Sequence, residues 1–223
     1  MKTLYTLFLS AIVMLTSNFA LANNSFFIEN KGQVKNEKGQ LDQSVLFTYA
    51  TSEMDVFIRK TGLTYQFKRY NNDGLYAERV DVNWKGCSVG SVAKGIEELG
   101  YTENYFADGK SNSANAFQEV RISNIYPGVD WRMYITEDGL KYEFIAESGQ
   151  AAKQISMQVE GAEELEKCSN GSIRIKGEMG QVNDAKPVYF NQEKEIEGNF
   201  IVNGNSVQFE IPSNTKGELI LDP

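Results

Sequence analysis

Histidine is absent from all 223 residues. Its absence excludes Ser-His-Asp and Cys-His catalysis in their usual forms, His-ligated zinc and haem, and any imidazole proton shuttle. Cysteine is nearly absent too. Cys87 and Cys168 are the only two, and without a C-x-x-C pair they build neither a thiolate zinc site nor an iron–sulfur cluster. Neither G-x-G-x-x-G nor G-x-x-x-x-G-K-[ST] occurs, which removes the usual dinucleotide and phosphate cradles. Basic charge is in short supply, with 22 Lys+Arg against 30 Asp+Glu and a net charge of −8. A chain this acidic lacks the cationic face that nucleic acids and anionic membranes require. It is permissive for Ca²⁺ without identifying a site. Proline occurs only four times, and helical periodicity is hard to find anywhere after the N-terminus.

What is present begins with an address. Lys2, the apolar run Leu4 to Leu15 and Ala20-Leu21-Ala22 before Asn23 have the order of a secretory signal peptide, with cleavage expected after residue 22. The apolar run is too short for a membrane anchor and is followed by Thr16, Ser17 and Asn18. No later stretch is apolar enough to span a bilayer, and no cysteine follows the cleavage point to carry a lipid. Losing Lys2 leaves 21 basic against 30 acidic side chains, a net −9. The protein is therefore expected to be exported, passing through the periplasm to the cell surface or the medium. In that setting Cys87 and Cys168 can close one long disulfide loop, or stand as two separate thiols, each at its own turn or strand end.

The pattern of the mature chain centres on Ile122 to Ile145. It reads as a strand, a Tyr126-Pro127-Gly128 corner, a second strand, an Asp138-Gly139 turn and a third strand. A type I′ turn at Asp138-Gly139 places Glu137 opposite Leu140, Ile135 opposite Tyr142, Met133 opposite Phe144 and Trp131 opposite Ala146. These side chains share one face, while Arg132, Tyr134, Lys141 and Glu143 fall on the other. Upstream, Ser44–Thr51, Met54–Lys60, Leu63–Arg69 and Glu78–Trp84 alternate with period two. Asn71-Asn72-Asp73-Gly74 forms a polar turn, and Asn203-Gly204 forms a second two-residue hairpin turn. Gly86–Gly100 reads as loop or edge, Tyr101–Phe106 as a short strand and Asp108–Asn115 as a polar loop. Ser148–Ala152 suggests a loop or short helical turn. After it, Ile155–Glu160, Ser172–Lys176, Pro187–Asn191, Glu195–Val202, Ser206–Ile211 and Glu218–Leu221 read as strands. No repeat of fixed period is found. The expected fold is all-β, an antiparallel β-sandwich with little helix. It would occupy residues 23–223 as one domain or, with a subdivision near 115–125, as two packed sub-sandwiches.

Chemistry, if any, falls to carboxylates. Asp130, Asp138 and Glu143 are the candidates for a glycosidase pair. Each also has a structural reading: Asp130 at a turn, Asp138 in the hairpin, Glu143 paired with Arg132 diagonally across strands. Asn71–Gly74 and Asn104–Asp108 carry oxygen ligands for Ca²⁺, but neither follows the D-x-[DN]-x-[DN]-G pattern. Tyr126, Tyr134, Tyr189 and Phe190 can stack on sugar rings or fill a core.

Several blocks together resemble a known family. They are Phe27-Ile28-Glu29-Asn30-Lys31-Gly32-Gln33, Val45-Leu46-Phe47, Val56-Phe57-Ile58 with Gly62-Leu63, Asn104-Tyr105-Phe106, Asn124-Ile125-Tyr126-Pro127-Gly128-Val129-Asp130, Leu140-Lys141-Tyr142-Glu143-Phe144 and Leu219-Ile220-Leu221-Asp222-Pro223. The pattern is similar to the N-terminal domain of large exported bacterial proteins, notably of the Bacteroidetes. In those proteins the domain precedes beta-propeller-type repeats and often a C-terminal sorting domain for type IX secretion. The resemblance implies an all-β module with no catalytic residues to carry over. The chain stops at Pro223, where such proteins continue, so a stand-alone protein and a front module both stay open. Cys87 and Cys168 lie outside the shared motifs. The expected function is a non-catalytic, structural or adhesive surface module whose partner is a glycan or another surface protein. The alternative is a carboxylate-dependent carbohydrate-active enzyme. A Ca²⁺-stabilised domain is a third reading.

Overall fold

A computed structural model describes residues 26–223 apart from 37, 89, 108, 193 and 214. The expected signal peptide, 1–22, lies outside the described residues. The first half of the chain supplies β1 (Phe27–Glu29), β2 (Val45–Ala50), β3 (Met54–Arg59), β4 (Gly62–Asn71), β5 (Gly74–Trp84), β6 (Val92–Ala107) and β7 (Lys110–Tyr126). Then come β8 (Val129–Thr136), β9 (Gly139–Ala146), the single helical turn α1 (Gly149–Ala152) and β10 (Ser156–Glu160). The last third consists of short strands: β11 (Glu164–Lys167), β12 (Ile173–Lys176), β13 (Gln181–Asp184) and β14 (Val188–Asn191). It ends with β15 (Lys194–Glu197), β16 (Phe200–Asn203), β17 (Ser206–Phe209) and β18 (Leu219–Asp222).

All but three of these strands join one antiparallel sheet in the order β15-β14-β18-β9-β8-β7-β1-β2-β3-β4-β5-β10-β17-β16, with β6 alongside β7. Strands β11, β12 and β13 form a separate small sheet. A twisted sheet of this width curls, and its two arms meet face to face. Trp84 of β5 lies edge-on to Trp131 of β8 and to Phe144 of β9, each at 5.0 Å between ring centroids. Phe209 of β17 stacks edge-on to Phe144 at 6.0 Å. Strands far apart in the sheet order thus share one core, which is the sandwich arrangement expected of the sequence.

The central hairpin shows why the faces were legible. Val129, Trp131 and Met133 of β8 and Tyr142, Phe144 and Ala146 of β9 are all buried, while Arg132, Tyr134 and Glu143 face outward. The register differs from the expectation. Thr136 pairs with Gly139, so Ile135 faces Leu140, Met133 faces Tyr142 and Trp131 faces Phe144. The two-residue loop is Glu137–Asp138, and positive φ (113°) falls on Gly139 alone. That is the pattern of a type I turn followed by a glycine bulge rather than a type I′ turn. The shift is two residues, so every side chain keeps its face. Asn203-Gly204 is corrected likewise: Asn203 pairs with Ser206, the loop is Gly204–Asn205, and Gly204 has φ 58°.

Two regions differ more. Gly86–Gly100 and Asp108–Asn115 are not loops throughout, since β6 and β7 form a long hairpin in which Ala107 pairs with Lys110. Strand β7 runs unbroken through residues 115–125. The stretch Glu195–Val202, expected as one strand, breaks at Gly198-Asn199 into β15 and β16.

Candidate functional site

Asp130, Asp138 and Glu143 do not converge as a catalytic pair. Asp130 accepts hydrogen bonds from Arg121 Nε (3.0 Å) and Nη2 (2.9 Å) through one oxygen, and from the Asn124 backbone N–H (2.8 Å) through the other. Asn124 has φ 54° at the register shift between Ile122 and Tyr126. Asp130 therefore braces a bulge. Asn30, in the other shared block, does the same for its loop: its carbonyl accepts from the N–H groups of Gly32 and Val34, and its amide donates to the carbonyls of Asp42 and Val45. Glu143 stands directly opposite Arg132, not diagonal to it. Arg132 bridges Glu143 (3.5 Å) and Glu119 (2.8 Å), sits 4.9 Å from the centre of the Tyr134 ring, and the Tyr134 hydroxyl donates to Glu143 (2.8 Å). Burial and the Glu143 carboxylate push the Tyr134 phenol up. Asp130 and Glu143 are thus occupied in structural ion pairs, while Asp138 is exposed in the β8–β9 loop.

The loops with Ca²⁺-type oxygens are ordinary turn and strand. Asn71 Oδ1 accepts from the N–H groups of Asp73 and Gly74, closing the β4–β5 hairpin. Asn104 lies within β6 and accepts from the Ser113 hydroxyl (2.6 Å), and Asp108 lies outside the described residues. Among the described residues, no three Cys, Asp or Glu side chains gather where they could hold a metal ion. Of the aromatics, Tyr126 and Tyr189 are core residues, while Tyr134 and Phe190 are partly exposed.

Cys87 and Cys168 are both free thiols in the structure. Cys87 follows the end of β5 and packs against the main core, where burial pushes its thiol up. Cys168 closes the β11–β12 hairpin, exchanging backbone hydrogen bonds with Ser172 and Gly171. The two therefore sit in separate local structures. Gly86-Cys87-Ser88-Val89-Gly90 has G-x-S-x-G spacing. It joins a strand to a strand rather than to a helix, Ser88 Oγ accepts from the Gly90 N–H, and the chain has no histidine to activate it.

The concave site is elsewhere. A cleft of about 620 Å³ lies between the β2–β3 turn, the tip of the β8–β9 hairpin and strand β13. Tyr49, Tyr65 and Tyr142 form its floor and Asp138 belongs to its rim. Among the described residues, Glu53, Glu137, Asp138 and Asp184 line it and no lysine or arginine does. Asp184, at the end of β13, accepts a 2.6 Å hydrogen bond from the Tyr142 hydroxyl. Burial holds the Asp184 carboxyl above the usual carboxylate range, and the Tyr142 hydrogen bond offsets this only in part. Loss of solvent, and then the same carboxylate, push the Tyr65 and Tyr142 phenols up. Several other partly buried acids have cations: Asp55 has Lys68, Asp81 has Arg59, Asp130 has Arg121 and Asp222 has Lys141. Asp184 has one neutral hydroxyl. Nothing in the sequence pattern singled it out, because β13 is too short and polar to show period two and its tyrosines come from distant strands.

A family described as a domain of unknown function (DUF7948) matches residues 27–223. The chain belongs to that family. The DUF7948 match starts at Phe27, the first residue of β1, and runs one residue past the end of β18. The family unit and the folded unit therefore coincide, and the cleft lies wholly inside DUF7948. No curated protein and no solved structure matches the chain.

Proposed function

We propose that this DUF7948 chain is a non-catalytic, exported β-sandwich module that holds a surface partner, a glycan or another protein, in the cleft beside β13. Export rests on the signal-peptide pattern of residues 1–22. The observation that carries the reading is an open, tyrosine-floored cleft standing apart from Asp130 and Glu143, which are committed to structural ion pairs. Concave sites with aromatic walls and a few polar groups are where soluble folds hold ligands. A second reading uses the same cleft. Asp184, which holds its proton more readily than an ordinary carboxyl, would serve as general acid, and exposed Asp138 on the rim as its partner in glycoside hydrolysis. The test is incubation of the purified protein with a broad polysaccharide panel, scoring both retention and new reducing ends. Retention without cleavage is expected. Cleavage that disappears in Asp184→Asn would establish the enzyme instead.

A further inference from the structure

Side chains alternate between the two faces of a strand, so a cavity lying against one face touches every second residue. The cleft touches all four consecutive residues of β13, Gln181 to Asp184. It therefore lies along the strand's edge. Among the described residues β13 pairs with β12 and with nothing on its other side. Its free backbone donors and acceptors border the cleft.

Exposed edges are normally blunted by charge, bulges or covering groups, and the other edges of this fold are. Strand β6 is broken by a register shift beside Glu97 at φ 55°. Strand β15 presents Lys194, Glu195 and Glu197, all exposed. The ammonium of Lys167 donates to the Phe200 carbonyl of β16 at 2.8 Å. Strand β11 is Glu-Leu-Glu-Lys. Strand β13, Gln-Val-Asn-Asp, has neither lysine, proline nor bulge. Its one charge is Asp184, a carboxylate without a cation in a cleft of four acids and no bases.

We infer that the cleft receives an extended, basic segment of a partner protein, which adds to the free edge of β13 and sets a lysine or arginine on Asp184. The inference rests on the binding-module reading above. Main-chain hydrogen bonds to β13 supply the hold and the acidic cleft supplies the selection, the division of labour of strand addition elsewhere. A four-residue edge is about 13 Å long at ~3.3 Å per residue, which suits a short segment. A second copy of this chain is a poor occupant, because each copy is acidic, with a net charge of −8 that becomes −9 on loss of Lys2.

The test is titration of the purified protein with a capped pentapeptide of alternating valine and lysine, followed by calorimetry and amide NMR. The controls are the glutamate counterpart, lysine peptides N-methylated at alternate amides in either register, and a free-amine glucosamine oligomer. The lysine peptide is expected to bind at least tenfold more tightly than the glutamate peptide, with shifts centred on Gln181 to Asp184. N-methylation in one register should abolish binding, and Asp184→Asn should weaken it about tenfold. Where Asp184→Asn melts early, Glu137→Gln with Asp138→Asn, two exposed rim positions, should weaken the lysine peptide severalfold. Any of three results would overturn the inference: no binding of the lysine peptide at millimolar concentration, no preference over glutamate, or indifference to N-methylation in both registers. Binding of the glucosamine oligomer alone would also overturn it while leaving the module reading intact, whereas polysaccharide cleavage would remove the module reading itself.

Discussion

Asp184 ionises at a disadvantage, because its partial burial strips water from the carboxylate and the Tyr142 hydroxyl makes up only part of the loss. A carboxyl whose folded value lies above its unfolded value binds protons more tightly in the native state. Its favourable contribution is full below the unfolded value, near 3.8, and is lost as pH rises through the folded value. Asp184→Asn should therefore melt higher than the parent near neutral pH, and the gain should vanish in acid. Thermal melts at the two ends of that window decide it, and an equal gain at both would point to packing instead of charge. Asp130 is the opposite case: its oxygens are satisfied by Arg121 and the Asn124 N–H, so it serves the fold. Its turn role was readable from the Pro127-Gly128 corner beside it. The importance of Asp184 was not, because burial by Tyr65 and Tyr142 is a property of three strands meeting.

Period-two alternation told which face of β8 and β9 is core, since burial follows the pleat. It did not tell where the hairpin turns. Asp138-Gly139 serves equally as the centre of a type I′ turn or as the end of a type I turn with a glycine bulge, and the choice moves the pairing by two. The segment Ser111 to Asn115 was read as loop from its polarity, yet it pairs with β6, and the nearby small residues Ala114 and Ala116 pack against Ile28. Strands β11 and β13 are four residues each and show no period. The β3–β4 hairpin offers a test at this scale. A Cβ on Gly62 would lie 1.9 Å from the Val82 carbonyl oxygen of β5, and Gly62 has φ 147°. Gly62→Ala should cost on the order of 2–3 kcal/mol, read by denaturant unfolding. A loss below about 1 kcal/mol would mean that β4 and β5 separate easily there.

At the scale of the molecule, a cluster of aromatic contacts joins the two arms of the curled sheet. Trp84, Trp131 and Phe144 are each at most 2% exposed, and edge-on aromatic pairs add roughly 0.5–1.5 kcal/mol apiece beyond burial. Trp131→Ala should cost about 3–5 kcal/mol and, unlike a loss confined to one hairpin, should loosen β5 and β9 together in hydrogen exchange. Exchange that rises only around β8 would show that the arms are held by other contacts. The sandwich was legible because many short alternating runs with turns between them have few other ways to bury their faces. The width of the large sheet and the separate three-stranded sheet were not, because strand order is set by pairings between residues far apart in the chain.

Strand β1 is the first strand among the described residues, yet it sits in mid-sheet between β2 and β7, with Phe27 opposite Phe117. At roughly 5–20 residues per second of synthesis, its second neighbour emerges some seconds later. During that delay Phe26, Phe27 and Ile28 have no finished sheet to enter, and the sheet has a gap where they belong. The seam between β1 and β7 joins Phe27 to Phe117, so it closes only after β2 to β7 have been made.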